Sequence, residues 1–229
     1  MNNQLTRYAG WAAYLSGITA LLSCVGYIVF VVFDLPQTMQ GGNANQQTLA
    51  TNLGGLFQGI SVLLMIPIAL ALHQITPARS AKVSRVAMII GIVGMAVFLT
   101  FNTLIFLLGM PESQAGAPIS FAFGAVGAWL ITANYFARGI ALPTRLAWLG
   151  IVIGAGFVLW MLMFRISGAA NVGSPAALQS NTPFLIGIAA LALSSYFLYP
   201  IWAIWLGRVL MKTAADGRPL TKHWLKVVQ

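Results

Sequence analysis

Six long apolar runs alternate with shorter polar stretches along the chain. The runs cover residues 9–33, 52–74, 86–109, 118–137, 146–164 and 183–207. Each is close to the roughly 20 apolar residues that a helix needs to cross the hydrocarbon core of a bilayer. The polar stretches between them are rich in glycine and amide residues, whose backbone groups require water. The pattern predicts an all-α polytopic membrane protein with six transmembrane helices.

The composition supports the same fold class. Of the 229 residues, 59% are hydrophobic and 7% are charged, whereas about a quarter of an ordinary soluble domain is charged. We predict one transmembrane bundle over residues 1–211, followed by a basic amphipathic tail over residues 212–229. The stretch before Cys24 resembles a lipoprotein cleavage box, but the apolar run continues beyond it, which favours a retained first helix. As the only cysteine, Cys24 cannot form an internal disulfide.

The basic residues predict the orientation of the bundle. Eleven of the twelve Lys and Arg fall on one side of the predicted membrane, and only Arg165 falls on the other. Basic residues collect in cytoplasmic loops, so both termini are expected in the cytoplasm. This bias also accounts for the net charge of +9. We therefore expect no nucleic-acid partner.

The three helices that run outward begin in a similar way. Arg7, Arg85 and Arg145 are each followed by two apolar or aromatic residues and, within two turns, by a glycine. Such recurrence favours three tandem helical hairpins. A basic residue followed by a small one is also common at the start of membrane helices, so the alternative of coincidence stays open.

The chain lacks the residue sets on which common enzyme classes depend. Its two histidines and three carboxylates lie near predicted helix ends or in the tails, and it has no HExxH, GxSxG, P-loop or GxGxxG motif. Lys212 and Arg218 resemble part of a lipid phosphatase motif, but the accompanying histidine motifs are missing. We predict a protein that is not an enzyme and has no cofactor and no metal site.

Uncharged polar residues within the spans indicate where a ligand could bind. No ionisable residue lies in the middle of a span, as a proton-coupled or ion-coupled transporter would normally require. The polar residues fall mostly in the outer half or the centre, which leaves open an uncharged cavity that faces outward. Ser194 and Ser195 are interpreted as packing hydroxyls. The polar residues on which this prediction rests are Tyr27, Gln58, Thr100, Asn102, Thr103, Asn134, Ser194, Ser195 and Tyr196.

Arg165 defines the predicted ligand site, because the positive-inside bias gives no reason for a basic residue on the outer side. The nearest outer carboxylates in the sequence are Asp34 and Glu112. Pairing with either would fix the mouth of a cavity that binds a lipid headgroup or a polar-tipped apolar ligand. The alternative is an arginine that reaches the headgroups by itself. The other predicted ligand-binding residues are Tyr27, Gln58, Asn102 and Trp160.

A second set of basic residues is predicted to contact lipid headgroups on the cytoplasmic side. Basic clusters beside membrane helices attract anionic lipids. In the tail, Leu220, Trp224, Leu225 and Val228 recur at helical spacing, which favours a short helix on the inner leaflet. The alternative is a frayed tail. The predicted headgroup residues are Arg79, Lys82, Arg85, Lys222 and Lys226.

The stretch from Phe136 to Gly150, FARGIALPTRLAWLG, and the similar helix openings carry a resemblance to a known family. They resemble small bacterial membrane proteins known as domain of unknown function 4386. The similarity covers nearly the whole chain, from Arg7 to about Arg208. It implies six helices in a bacterial plasma membrane and no particular activity.

The leading functional hypothesis is a non-enzymatic membrane protein that binds lipid or a small apolar ligand, or serves as an accessory subunit. The rival is a small oligomeric transporter or channel with an outward-facing polar cavity. A channel needs polar residues along one face through the whole membrane, and the inner halves of the first, third and fifth helices have almost none. Expected partners are membrane lipids, a membrane protein or a second copy of the chain.

Overall fold

The computed structural model describes residues 3–29, 32–33, 49–76, 81–168 and 181–216. Six helices in this part of the chain are long and apolar enough to cross a membrane, which confirms the predicted fold class. Five are single α-helices, and the sixth span has three consecutive parts. The elements are α1 (Asn3–Val29), α2 (Leu49–Ile75), α3 (Ala81–Leu108), α4 (Glu112–Ala137), α5 (Thr144–Ile166), α6 (Thr182–Ala192), a π-helical segment (Leu193–Leu198) and α7 (Tyr199–Asp216).

The six spans form a closed ring in which each packs against its neighbours in sequence. The sixth span closes the ring by packing against α1. Gly10 near the start of α1 lies against Met211 near the end of α7, so the described ends of the chain are on the same side. Neighbouring spans run antiparallel: Gly26 near the end of α1, for example, lies against Gly54 near the start of α2.

Glycines allow some neighbouring helices to approach closely. Gly127 of α4 and Gly154 of α5 face each other, and a Cβ atom on either would lie 2.5–2.6 Å from the other's carbonyl oxygen. Close backbone approach is a common way for helices to associate in lipid, where burial of apolar surface adds little. Gly150 and Gly154 thus pack inside the bundle, against Asn134 and α4.

The π-helical segment in the sixth span ends two residues before Pro200. Pro200 has no N–H and its ring crowds the carbonyl four residues earlier, so a regular α-helical bond cannot form there. The N–H of Tyr199 instead donates to the carbonyl of Ser194, five residues back. Segments of this kind widen the helix and occur frequently at functional sites.

The outside of the ring is apolar, with exposed side chains such as Leu56, Val93 and Phe197. Basic residues gather at one end, named here the basic end. Among the described Lys and Arg residues, only Arg165 lies at the other end of the bundle, named here the opposite end. The basic end carries Arg7, Lys82, Arg85, Arg138, Arg145, Arg208 and Lys212.

The predicted domain boundary at residue 212 lies within a helix, because α7 continues to Asp216. The predicted tail helix, including Lys222 and Lys226, lies outside the described residues.

A candidate ligand cavity at the centre of the bundle

A cavity lies at the centre of the ring, and all six spans contribute to its wall. The space open to the centre of a water molecule is about 40 Å³, which corresponds to roughly three water-sized positions. The cavity extends from the middle of the spans toward the opposite end. Its lining consists of Ala20, Ser23, Gln58, Ser61, Val62, Met65, Phe98, Ala122, Phe123, Val126, Phe157, Ser195, Tyr196 and Tyr199.

Two hydroxyls in the cavity wall have no hydrogen-bond partner within the described protein. Ser23 on α1 is 1% exposed and Ser195 in the π-helical segment is 8% exposed. Neither Oγ atom makes a hydrogen bond. A buried hydroxyl without a partner destabilises a protein by about 1–3 kcal/mol, so native structures usually satisfy such groups. These hydroxyls are the candidate polar contacts for a ligand.

A hydrogen-bonded cluster joins α1, α2 and α7 on the side of the cavity toward the basic end. The Oγ atoms of Ser16 and Ser61 are 3.0 Å apart, and the hydroxyl of Ser61 also donates to the carbonyl of Ser16. The hydroxyl of Tyr199 bonds to Ser16 Oγ. All three side chains are buried. The cluster therefore fixes these three helices against each other beside the cavity.

On the side toward the opposite end, three half-buried residues close over the cavity. The hydroxyl of Tyr27 donates to Oε1 of Gln58 at 3.3 Å, which links α1 to α2. The Tyr27 ring also packs on Tyr196 with ring centroids 5.4 Å apart. Since Gln58 and Tyr196 line the cavity, Tyr27 connects two residues of its rim. A ligand that came from this end would have to separate them.

The wall formed by α3, α4 and α5 is aromatic. Phe123 makes edge-to-face contacts with Phe98 at 5.3 Å and with Phe157 at 5.2 Å between ring centroids. These contacts join one residue from each of the three helices. Edge-to-face pairs stabilise a fixed arrangement of the rings. The wall is suited to the apolar body of a ligand.

The structure brings together part of the predicted ligand site. Tyr27 and Gln58 are hydrogen bonded. Asn102 on α3 donates from Nδ2 to the carbonyl of Gly55 at 3.2 Å, one turn from Gln58 on α2. Its amide also lies against Gly59. Asn102 therefore holds α3 to α2 near the cavity rim and is not part of the cavity lining itself.

The other predicted residues lie elsewhere around the opposite end. Trp160 on α5 is buried against Phe164 and Phe184, and its Nε1 has no partner within the described protein. Arg165 is exposed, and its guanidinium lies 3.9 Å from the centroid of the Phe121 ring on α4. Asp34 and the side chain of Glu112 lie outside the described part, so their pairing with Arg165 stays a prediction.

Of the predicted headgroup residues, Lys82 and Arg85 are exposed at the basic end of α3. They are three residues apart and so share one face of that helix. Arg138 adds a partly exposed cation nearby in the same layer, over the rings of Tyr135 and Trp148. Arg79, like Lys222 and Lys226, is outside the described residues. The contact of all the predicted headgroup residues with lipid stays a prediction.

Sequence reasoning missed most of the residues that form the cavity. The sequence marks Ser23 only as part of the possible cleavage box before Cys24, and it predicts packing for Ser195. The structure supports packing for Ser194, whose hydroxyl lies against Gly156, but places Ser195 in the cavity wall. The spacing of Ser16 and Ser23 on α1, two turns apart, could have indicated one polar face of that helix.

Among the described residues no group of three or more His, Cys, Asp or Glu could hold a metal ion. Comparison with family models, curated proteins and solved structures finds no match. The resemblance to domain of unknown function 4386 therefore stays a prediction from the residues that carry it.

Proposed function

We propose that this chain is a non-enzymatic multi-pass membrane protein that binds a small, mostly apolar molecule in its central cavity. The observation that carries the proposal is a cavity to which all six spans contribute and whose wall is mostly apolar, with a few polar groups. Ligand sites in proteins commonly have this character. A single ligand could thus contact every helix of the bundle.

The packing between the cavity and the basic end favours a ligand-binding protein rather than a continuous channel. Between the cavity and the basic end, side chains with almost no exposure fill the interior. A pore would need a polar or water-filled path there. The rival function, a transporter, would require this region to open. The residues that fill it include Ile68, Leu72, Leu130, Leu146, Trp202, Leu206 and Leu210.

The test of this proposal compares two substitutions at adjacent positions on α2. Val62 lines the cavity, whereas Leu63 is exposed on the lipid-facing surface. Each protein is extracted with its native lipid, and native mass spectrometry measures any small molecule bound in a fixed ratio. We expect the parent protein and Leu63→Phe to retain such a molecule and Val62→Phe to lose it, because the larger ring occupies the cavity.

Two results would contradict the proposal. One is a parent protein with no small molecule in a fixed ratio, and the other is a Val62→Phe variant that retains the molecule as well as Leu63→Phe does. The same spectra give the mass of the intact complex. A second copy or a co-purifying protein at fixed ratio would support the accessory-subunit function instead.

We further propose that the protein resides in a bacterial plasma membrane with its basic end in the cytoplasm, where anionic headgroups contact Lys82 and Arg85. The support is the gathering of basic residues at one end. Single cysteines at Asn171 and Ser80, in a Cys24→Ala background, test the orientation. An impermeant thiol reagent should label position 171 of intact cells and not position 80, and the reverse would overturn it.

A further inference from the structure

Serine and threonine hydroxyls in the spans usually bond to a carbonyl of their own helix. Thr19, Thr100 and Thr132 each donate to the carbonyl four residues earlier. Ser23 and Ser195 make no such bond, although both are more than nine-tenths buried. Their hydroxyls are therefore free to bond to something in the cavity.

The two hydroxyls lie on the same part of the cavity wall. Gly17 of α1 lies against the carbonyl of Pro200 in the sixth span. Because the two helices are antiparallel, Ser23, which is six residues beyond Gly17, falls at the level of residues 194–195. The π-helical segment sets the position of Ser195 at this level. One ligand atom could contact both side chains.

The chemistry of the cavity lining limits which kind of ligand atom Ser23 and Ser195 can bind. The cavity lining contains no Asp, Glu, His, Lys or Arg, so a charged ligand group would have no compensating charge. Two O–H groups need acceptors, and a carbonyl oxygen has two lone pairs and can accept from both. Across the cavity, Phe98, Phe123 and Phe157 offer an apolar surface.

We infer that the cavity selects a compact, uncharged, mostly apolar compound of about four or five non-hydrogen atoms with one acceptor oxygen, such as a small aliphatic ketone. The hydroxyls of Ser23 and Ser195 donate to that oxygen, and the aromatic wall contacts the hydrocarbon part. This inference rests on the proposed function and makes it specific. It identifies the two serines as the residues that determine ligand specificity.

The experiment uses two probes that differ only in the oxygen. These are fluoroacetone and 1-fluoropropane, and ¹⁹F NMR follows the binding of each to the full chain in lipid nanodiscs. Nanodiscs without protein correct for partition into lipid. The variants are the double substitution Ser23→Ala with Ser195→Ala, and Ser194→Ala as the control, because Ser194 is buried against Gly156 and does not line the cavity.

We expect the double variant to bind the ketone about tenfold more weakly than the parent protein, since two neutral hydrogen bonds are lost. Its affinity for 1-fluoropropane should change by less than about twofold, because the aromatic wall is intact. Ser194→Ala should bind both probes as the parent does. Without a probe, the double variant should unfold at the same temperature or higher, since neither hydroxyl has a partner to lose.

The possible failures are distinguishable. If the parent binds both probes equally well, or if the double variant keeps the ketone preference, the inference about the acceptor is wrong and the proposal of an apolar cavity stands. Such a result would mean that water satisfies the hydroxyls. If the parent binds neither probe, the inference fails, and the native mass spectra of the parent protein and of Val62→Phe decide separately whether the proposed function stands.

Discussion

The two walls of the central cavity differ in chemistry. The wall formed by α1, α2 and the sixth span carries all its polar side chains, including Ser23, Gln58 and Ser195. The wall formed by α3, α4 and α5 contributes only apolar residues. A ligand in this cavity would be oriented, with its polar atom toward the first wall.

The helix contacts outside the cavity show a related difference. Hydrogen bonds between side chains join α1, α2 and α7 through Ser16, Ser61 and Tyr199. The contact between α4 and α5 depends on the mutual approach of Gly127 and Gly154. In lipid both kinds of contact stabilise helix association. The hydrogen-bonded contact tolerates small changes of side-chain volume. The glycine contact does not, since backbone atoms cannot move aside.

The largest effect is expected for Gly154→Val. A Cβ atom there would lie 2.6 Å from the carbonyl oxygen of Gly127, so the two helices must separate. We expect the free energy of unfolding to fall by about 3 kcal/mol. Unfolding in mixed micelles, followed by tryptophan fluorescence, measures it. Ala155→Val on the exposed face of the same helix is the control, and an equal effect in both variants would show that the glycine contact is unimportant.

A smaller effect is expected for Tyr199→Phe. This substitution removes the hydroxyl that bonds to Ser16 and leaves the ring in place. Hydrogen bonds between membrane helices are worth about 1 kcal/mol, and we expect a loss of that size in the same unfolding assay. Tyr135→Phe, at an exposed tyrosine, should change stability by less than about 0.5 kcal/mol. If Tyr199→Phe is equally neutral, the polar cluster does not hold the helices together.

The smallest change in stability is expected for Arg165→Ala. The guanidinium lies on the ring of Phe121 at an exposed site, where such contacts are worth about 0.5–1 kcal/mol. If the mouth at the opposite end binds a headgroup, the amount of co-purified lipid should drop while Arg165→Lys retains it. An unchanged profile of co-purified lipid in Arg165→Ala would contradict the hypothesis of a ligand site at Arg165.

The helices were predictable because the signal for each is local. The runs 52–74 and 146–164 are contained in α2 and α5, and each helix extends beyond its run by a few interfacial residues.

The cavity was only partly predictable. Tyr27 and Gln58 stood out as polar residues in apolar runs, and the structure joins them. Ser195 is in the same polar set but is interpreted as a packing residue, and Ser23 is not in that set, because a serine in a membrane helix usually bonds to its own backbone.

The sequence by itself determined that the chain has six spans long and apolar enough to cross a membrane and that eleven of its twelve Lys and Arg fall on one side, since both follow from residue type and position along the chain. Only the tertiary structure decided that the sixth span closes the ring against α1 and that a cavity lies between all six spans. Whether a serine hydroxyl has a hydrogen-bond partner depends on the residues that face it from other helices. Sequence spacing within one helix carries no information about that, because lateral packing joins residues as distant as Ser16 and Tyr199.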